Sequence, residues 1–186
     1  MRVIKKIGGQ ILVFLTFLVL STMLWGWLFT LKTDTAPEHK ITVYIDASAV
    51  RETALAAKLE ENLPENIRMV KAHAFSYAFF DDQALSGADI FIVPESRAAG
   101  WRDSFAPVTD PSDNSLRLEN GAAGMLVYDA ATGQGSAASY ITYLNEDGQP
   151  ENFYLFFGAR SAHYAANDQS VDNAAAELAA VFLDLE

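Results

Sequence analysis

Twenty consecutive residues, Ile11 to Thr30, carry no charge. As a helix rising about 1.5 Å per residue they span roughly 30 Å, the thickness of a bilayer's hydrocarbon core. Arg2, Lys5 and Lys6 precede the run and only Lys32 follows closely, so the positive-inside bias puts the N-terminus in the cytoplasm. Trp25 and Trp27 fall near the outer end, where indoles favour the interface. A cleaved secretory signal is the competing reading. Against it, the apolar stretch exceeds the roughly 7–15 residues of a signal core, and no A-x-A site follows. Ala36 has Asp34 at the minus-three position and Pro37 just after it. The run holds no ionisable residue and so reads as an anchor, not an ion path. The absence of cysteine excludes a lipoprotein anchor and a disulfide framework. The expected organisation is a cytoplasmic segment over 1–10, a transmembrane anchor over 11–30, a tether over 31–39 and an extracytoplasmic domain over 40–186. That makes a single-pass protein of the cell membrane.

Charge narrows the partners. The chain has 13 Lys and Arg against 24 Asp and Glu. Residues 1–36 contain four of the former and one of the latter, which leaves 9 against 23, a net charge of −14, on the remainder. Such a domain repels nucleic acid and anionic headgroups at long range, so no nucleic-acid partner is expected.

After the tether the pattern alternates between strand and helix. "KITVYID" (40–46) is a β-branched and aromatic run, the next segment carries Leu55, Leu59 and Leu63 on one stripe, and Pro64 ends it. Ser48 is placed to cap that helix. "NIRMVKAHAF" (66–75) reads as a strand and "SYAFFDDQALSG" (76–87) as a short helix, with Ser76 as cap and Gly87 as stop. Ile90 to Val93 are then four apolar residues in a row, which suits a central strand covered on both faces and ended by Pro94. The first half is thus βαβαβ, which implies parallel strands with right-handed crossovers. Residues 101–124 are rich in turn formers and read as a surface excursion, and 124–130 as a strand. "SYITYL" and "ENFYLFFGA", joined through Asp147-Gly148, read as an antiparallel hairpin. A last helix from about Ser170 presents Ala174, Leu178, Val181, Phe182 and Leu185 on one face. The fold class is α/β, a mixed sheet with a parallel core and an antiparallel addition behind one transmembrane helix.

No catalytic constellation stands out. Ser96, His163 and an aspartate allow a triad to be imagined, but "VPES" lacks the glycines of a nucleophile elbow. His39 lies in the tether and His73 in a strand, where structural or exposed roles are expected. There is no His-x-x-x-His pair, so no zinc site is expected. Asp110, Asp113 and Asn114 offer oxygens but not an EF-hand loop, and an Asx turn explains them. Asp81 and Asp82 are adjacent on a helix and do not share a face. No glycine-rich turn follows the first strand, so no nucleotide cofactor is expected. The chain reads as a non-enzyme without cofactor or metal. What remains is a binding surface at the carboxyl ends of the parallel strands, where open α/β sheets hold ligands. Asp46 and Ser48 follow the first strand, and Glu95 and Ser96 follow the third. Trp101 and Tyr128 are available as an aromatic wall, or for core packing.

"KITVYIDAS…ETALAAKLEENLPENIRM" followed by "SGADIFIVPES" resembles the first lobe of type 2 extracellular solute-binding proteins. "NFYLFFGARSAHY…DNAAAELAAVFLDL" resembles the return of such proteins to that lobe, a serine after a strand and then an alanine-rich helix. The order "GMLVYDAATG…SYITYL…NFYLFFGARSAH" is also similar to small membrane-anchored proteins of Firmicutes bacteria. The resemblance implies a single lobe without the second lobe that closes over ligand. It implies ligand contact at Ser96 and Ser161, then at Glu95 and Asp46. The expected function is a membrane-anchored, solute-binding-like module for a sugar or peptide, accessory to a transporter. The alternative is a cell-surface interaction domain with a protein partner and no small-molecule ligand.

Overall fold

The structure, a computed structural model, describes residues 2–33, 35–74, 87–108, 115–145, 147–165 and 173–185. The expected helix over 76–87 with its cap Ser76, the pair Asp81 and Asp82, the oxygen set Asp110, Asp113 and Asn114, and Ser170 lie outside these residues, Gly87 apart. The chain divides into two compact units, Met1–Ala36 and Pro37–Glu186.

The first unit is a helix, α1, over Arg2–Thr33. Its side chains are described from Val13 to Leu28, a stretch of about 24 Å at 1.5 Å per residue. All of them but Ser21 are exposed, including Phe14, Phe17, Trp25 and Trp27. Among the described residues no helix is long and apolar enough to cross a membrane.

The second unit is a mixed α/β fold. Strand β1 (Lys40–Ile45) pairs in parallel with β3 (Met69–Ala74) on one side and with β4 (Ile90–Pro94) on the other. The helix α2 (Glu52–Leu59) lies between β1 and β3 in sequence. The sheet continues through β9 (Phe153–Phe157), antiparallel to β4, then β6 (Ala123–Asp129), with β5 (Leu116–Arg117) and β7 (Gln134–Gly135) on the outer side of β6. A separate two-stranded ladder joins β2 (Ala49–Val50) to β8 (Ile141–Thr142).

Alternation of side chains splits the core into two layers, even where every residue is apolar. On one face Ile41, Val43, Ile45, Ile90, Ile92, Phe153, Leu155 and Phe157 pack with Leu55 and Leu59 of α2 and with the last helix, α4 (Ala174–Leu183). On the other, Phe91, Val93, Tyr154 and Phe156 pack with Phe105 and Ala122. Phe105 stacks on Phe156 with centroids 4.2 Å apart. Gly124 leaves the room this needs, since a Cβ there would meet the Phe156 ring at 2.4 Å. All five residues of β4 and all five of β9 are buried. Two fully covered strands side by side run through the centre of the core, at about 1.5–3 kcal/mol for each large side chain removed from water.

Several expectations change. The segment 101–124 is not only a surface excursion. Its Phe105 bridges to Gly158 and Pro107 to Ala122, so this stretch roofs the second face. The predicted hairpin is reduced to its turn and one bridge between Leu144 and Pro150. Gly148 takes φ +72 there, and the flanking segments part, β8 to β2 and β9 to the sheet centre. Ser48 does not cap α2. Its hydroxyl donates to the Thr142 carbonyl at 3.1 Å, and the helix starts after Arg51 without a side-chain cap. Pro94 does not end the ladder either. It pairs with Phe153, and the next amide, Glu95 N–H, donates to the Asn152 carbonyl at 2.9 Å. The proline is tolerated because the partner on the other side, β1, has already ended at Ile45. At β3, the outer strand of the sheet among the described residues, two glutamates reach across from the α2 side. Glu60 accepts from the Val70 amide at 3.0 Å and Glu52 from the Ala74 amide at 2.7 Å.

Candidate functional site

In the order β3-β1-β4 the chain leaves β1 to one side and returns to its other side. The crevice between the carboxyl ends of β1 and β4 is therefore the topological switch point, the place where open α/β sheets hold ligands. Asp46 follows β1 there. Glu95, Ser96 and Arg97 follow β4, on the four-residue helix α3 (Glu95–Ala98). Because β9 runs antiparallel to β4, its leading residues Glu151 and Asn152 arrive at the same edge.

The edge is filled by its own side chains. Arg97 donates from a guanidinium nitrogen to Asp46 Oδ1 at 3.1 Å, and the two side chains are only 18% and 10% exposed. This ion pair bridges the switch point. The Ser96 amide donates to Glu151 Oε1, and Asn145 donates to the other carboxylate oxygen at 3.1 Å. Burial would raise the Glu151 pKa, but the bonds from the Ser96 amide and hydroxyl and from Asn145 outweigh it and hold the carboxyl below its ordinary value. Asn152 donates its side-chain amide to Glu95 Oε2 at 3.0 Å and accepts from the Ala130 amide at 3.0 Å. Tyr154 lies beneath. Burial first, then the negative charge of Glu95, pushes its phenol up.

Ser161 is not at this edge. It follows β9, whose antiparallel course carries it to the amino end of β4. Its hydroxyl donates to Asp89 Oδ1 at 2.6 Å. The same carboxylate accepts from the Thr42 amide at 2.9 Å, while the Asp89 amide donates to the Thr42 carbonyl at 3.0 Å and its carbonyl accepts from Gly158. Asp89 is 3% exposed. Burial pushes its carboxyl above the ordinary value, against the Ser161 and Thr42 hydrogen bonds and the His163 charge. His163, buried too, donates its backbone amide to the Ser161 oxygen at 3.0 Å, and its ring Nε2 lies 3.1 Å from the Pro37 carbonyl. Ser161, His163 and an aspartate therefore meet, but the hydroxyl proton goes to Asp89 and the ring goes to a carbonyl. That arrangement ties strands together and does not activate an oxygen nucleophile.

Of the four residues singled out in the sequence, three (Asp46, Glu95 and Ser96) share one edge and Ser161 sits at the opposite one. Trp101 and Tyr128 do not form a common wall. Trp101 packs with the second-face cluster, and Tyr128 stacks on Tyr143 at 4.7 Å in the first. His39, assigned to the tether, belongs to the folded unit, its ring Nδ1 2.9 Å from the Asn66 carbonyl. Among the described residues no three His, Asp or Glu side chains are grouped to hold a metal ion. Arg97, Glu151 and Asn152 were missed. Arg97 could have been found, since it adjoins Ser96 at the strand end. Glu151 and Asn152 were hidden in a segment that reads as a hairpin turn. No family model, curated protein or solved structure matches the chain, so the resemblance to solute-binding proteins rests on its short quoted segments.

Proposed function

We propose that the chain is a membrane-anchored, extracytoplasmic interaction module that engages a protein partner, with residues 11–30 as the anchor and the N-terminus in the cytoplasm. The observation that carries this reading is how far the side chains of the switch-point edge are already bonded to one another. Asp46, Arg97, Glu95, Asn152, Ser96 and Glu151 already bond one another. A small polar solute gains affinity from convergent polar groups that lack partners and from walls that bury most of its surface. Here a solute would have to break an ion pair and two hydrogen-bonded pairs to gain equivalent contacts. The anchor is supported by the uncharged run and by the outward-facing apolar side chains of α1.

One observation favours the second reading, a solute-binding-like accessory of a transporter. Asp46, Glu95 and Ser96 do share the switch-point edge. A thermal-shift screen of the full chain in phosphatidylcholine nanodiscs, against sugars, short peptides and cations, separates the two. The interaction reading expects no solute to raise the melting temperature, and a discrete adduct from a photocrosslinking residue on the domain surface in native membranes. A solute that raises the melting temperature as ln(1 + [L]/Kd), with the shift abolished by Ser96→Ala or Asp46→Asn, would replace it with the solute-binding reading.

A further inference from the structure

Two clefts flank the C-terminal end of α4. One, of about 500 Å³, lies against Tyr128, Asp129 and Gln134. The other, of about 610 Å³, lies against Lys58, Asn62 and Tyr140. Asp184 and Leu185 line both, so the two clefts adjoin at the helix end and are treated together as one groove. We propose that this groove binds an extended, basic segment of a partner protein, with an apolar side chain beside Leu185 and a lysine or arginine beside Asp184. The inference rests on the interaction reading and gives that reading a surface and a ligand chemistry.

Four features support it. First, part of the polar lining is unengaged: Asp129, Thr132, Ser136 and Lys58 bond within the chain, and four others do not. Among the described residues Asn62, Gln134, Tyr140 and Asp184 make no side-chain hydrogen bond within the chain. Side-chain amides such as those of Asn62 and Gln134 match the donor and acceptor of a peptide group. Second, the apolar content is modest. Leu183, Leu185 and Val181 are half-buried against the core and leave one flank to the groove, enough to seat single side chains. Third, the lining holds two aspartates against one lysine. Asp129 and Asp184 face the groove, the one lysine is already paired with Glu61 at 2.6 Å, and residues 37–186 carry a net −14.

The fourth feature is rigidity. The loop after β7 clamps the helix end. The Ser136 hydroxyl donates to the Leu183 carbonyl at 2.8 Å, and the Ala137 amide donates to the Leu185 carbonyl at 2.8 Å. Ala137 is fully buried with φ +54, a left-handed conformation unfavourable for a residue with a Cβ. The groove's centre is thus held in shape before any ligand arrives, which lowers the ordering cost of binding.

The test uses full chain in phosphatidylcholine nanodiscs and the fluorescein-labelled peptide acetyl-Gly-Lys-Leu-Lys-Gly, read by anisotropy, with empty nanodiscs as blank. Saturable binding is expected, with Asp184→Lys weakening it at least tenfold and Asn62→Ala or Gln134→Ala two- to threefold each. Asp103→Lys makes the same charge change on a side chain that is 93% exposed, in the segment that roofs the other face, and should stay within twofold. All four positions are on the surface, and circular dichroism melting verifies that each variant folds. Equal loss in Asp103→Lys and Asp184→Lys would reduce the binding to bulk charge and overturn the proposal. So would equal binding of the Glu-Leu-Glu peptide, or an Asp184-dependent dimer in sedimentation, which would make a second copy the occupant. These failures leave the switch-point screen unaffected, so the two readings fall separately.

Discussion

The two ends of β4 each present a serine beside a carboxylate, and they work in opposite ways. At the amino end Asp89 is enclosed, takes donors from β1 and from the segment after β9, and carries a raised pKa. At the carboxyl end Glu151 is only partly covered, and the Ser96 donors lower its pKa. The residue types match, but burial decides the sign. At the closed end desolvation wins, and the serine serves the strand joints. At the open end hydrogen bonding wins, and the serine lies where a partner could reach it.

The largest test of this contrast is Gly158→Ala. A Cβ at Gly158 would lie 1.9 Å from the Ala88 carbonyl oxygen, so the joint between β9 and β4 at the closed end must separate. A loss of about 3–5 kcal/mol is expected in chemical denaturation. Gly148→Ala, in an open turn with φ +72, should cost only about 1 kcal/mol. Next is the serine pair itself. Ser161→Ala removes a hydrogen bond to a buried carboxylate and should cost about 1.5–3 kcal/mol. Ser96→Ala keeps its backbone bond to Glu151 and should cost about 1 kcal/mol or less. Equal losses in the two variants would erase the distinction.

The smallest effect is in pH dependence, and there the signs differ. With its folded pKa raised, Asp89 binds a proton more readily in the folded state, so its contribution to stability falls as pH rises from about 3.8 through the raised value. Glu151, with its folded pKa lowered, contributes stability that is present above about 4.5 and is lost as pH falls through the lowered value. Stability measured from pH 3 to 7 should therefore lose a declining component in Asp89→Asn and a rising component in Glu151→Gln. The same direction in both would show that burial does not set the sign.

Much of the fold was legible because β1 and β4 announce themselves. Ile90 to Val93 demanded cover on both faces and received it. The same logic applied to Phe153–Phe157, five apolar residues in a row, and should have moved that strand from a hairpin to the sheet centre. The Asp-Gly turn beside it outweighed that signal, and the turn does form. The edge on which Ser161 falls was not legible for a different reason. Whether a residue after a strand lands at one edge or the other depends on strand direction, which follows from pairing and is not written in the segment itself. The same holds for the short ladder of Ala49–Val50 with Ile141–Thr142, whose partners lie about ninety residues apart. The groove at the end of α4 left no sequence trace, because its residues come from four separate segments and none has a distinctive spacing.

Glu52 and Glu60 sit where the carbonyls of one more strand would sit, accepting the amides of Val70 and Ala74 along the outside of β3. An outer strand with open amides is a template for side-by-side pairing with another chain. Here two carboxylates fill those positions, so neither amide is left open to a strand of another chain.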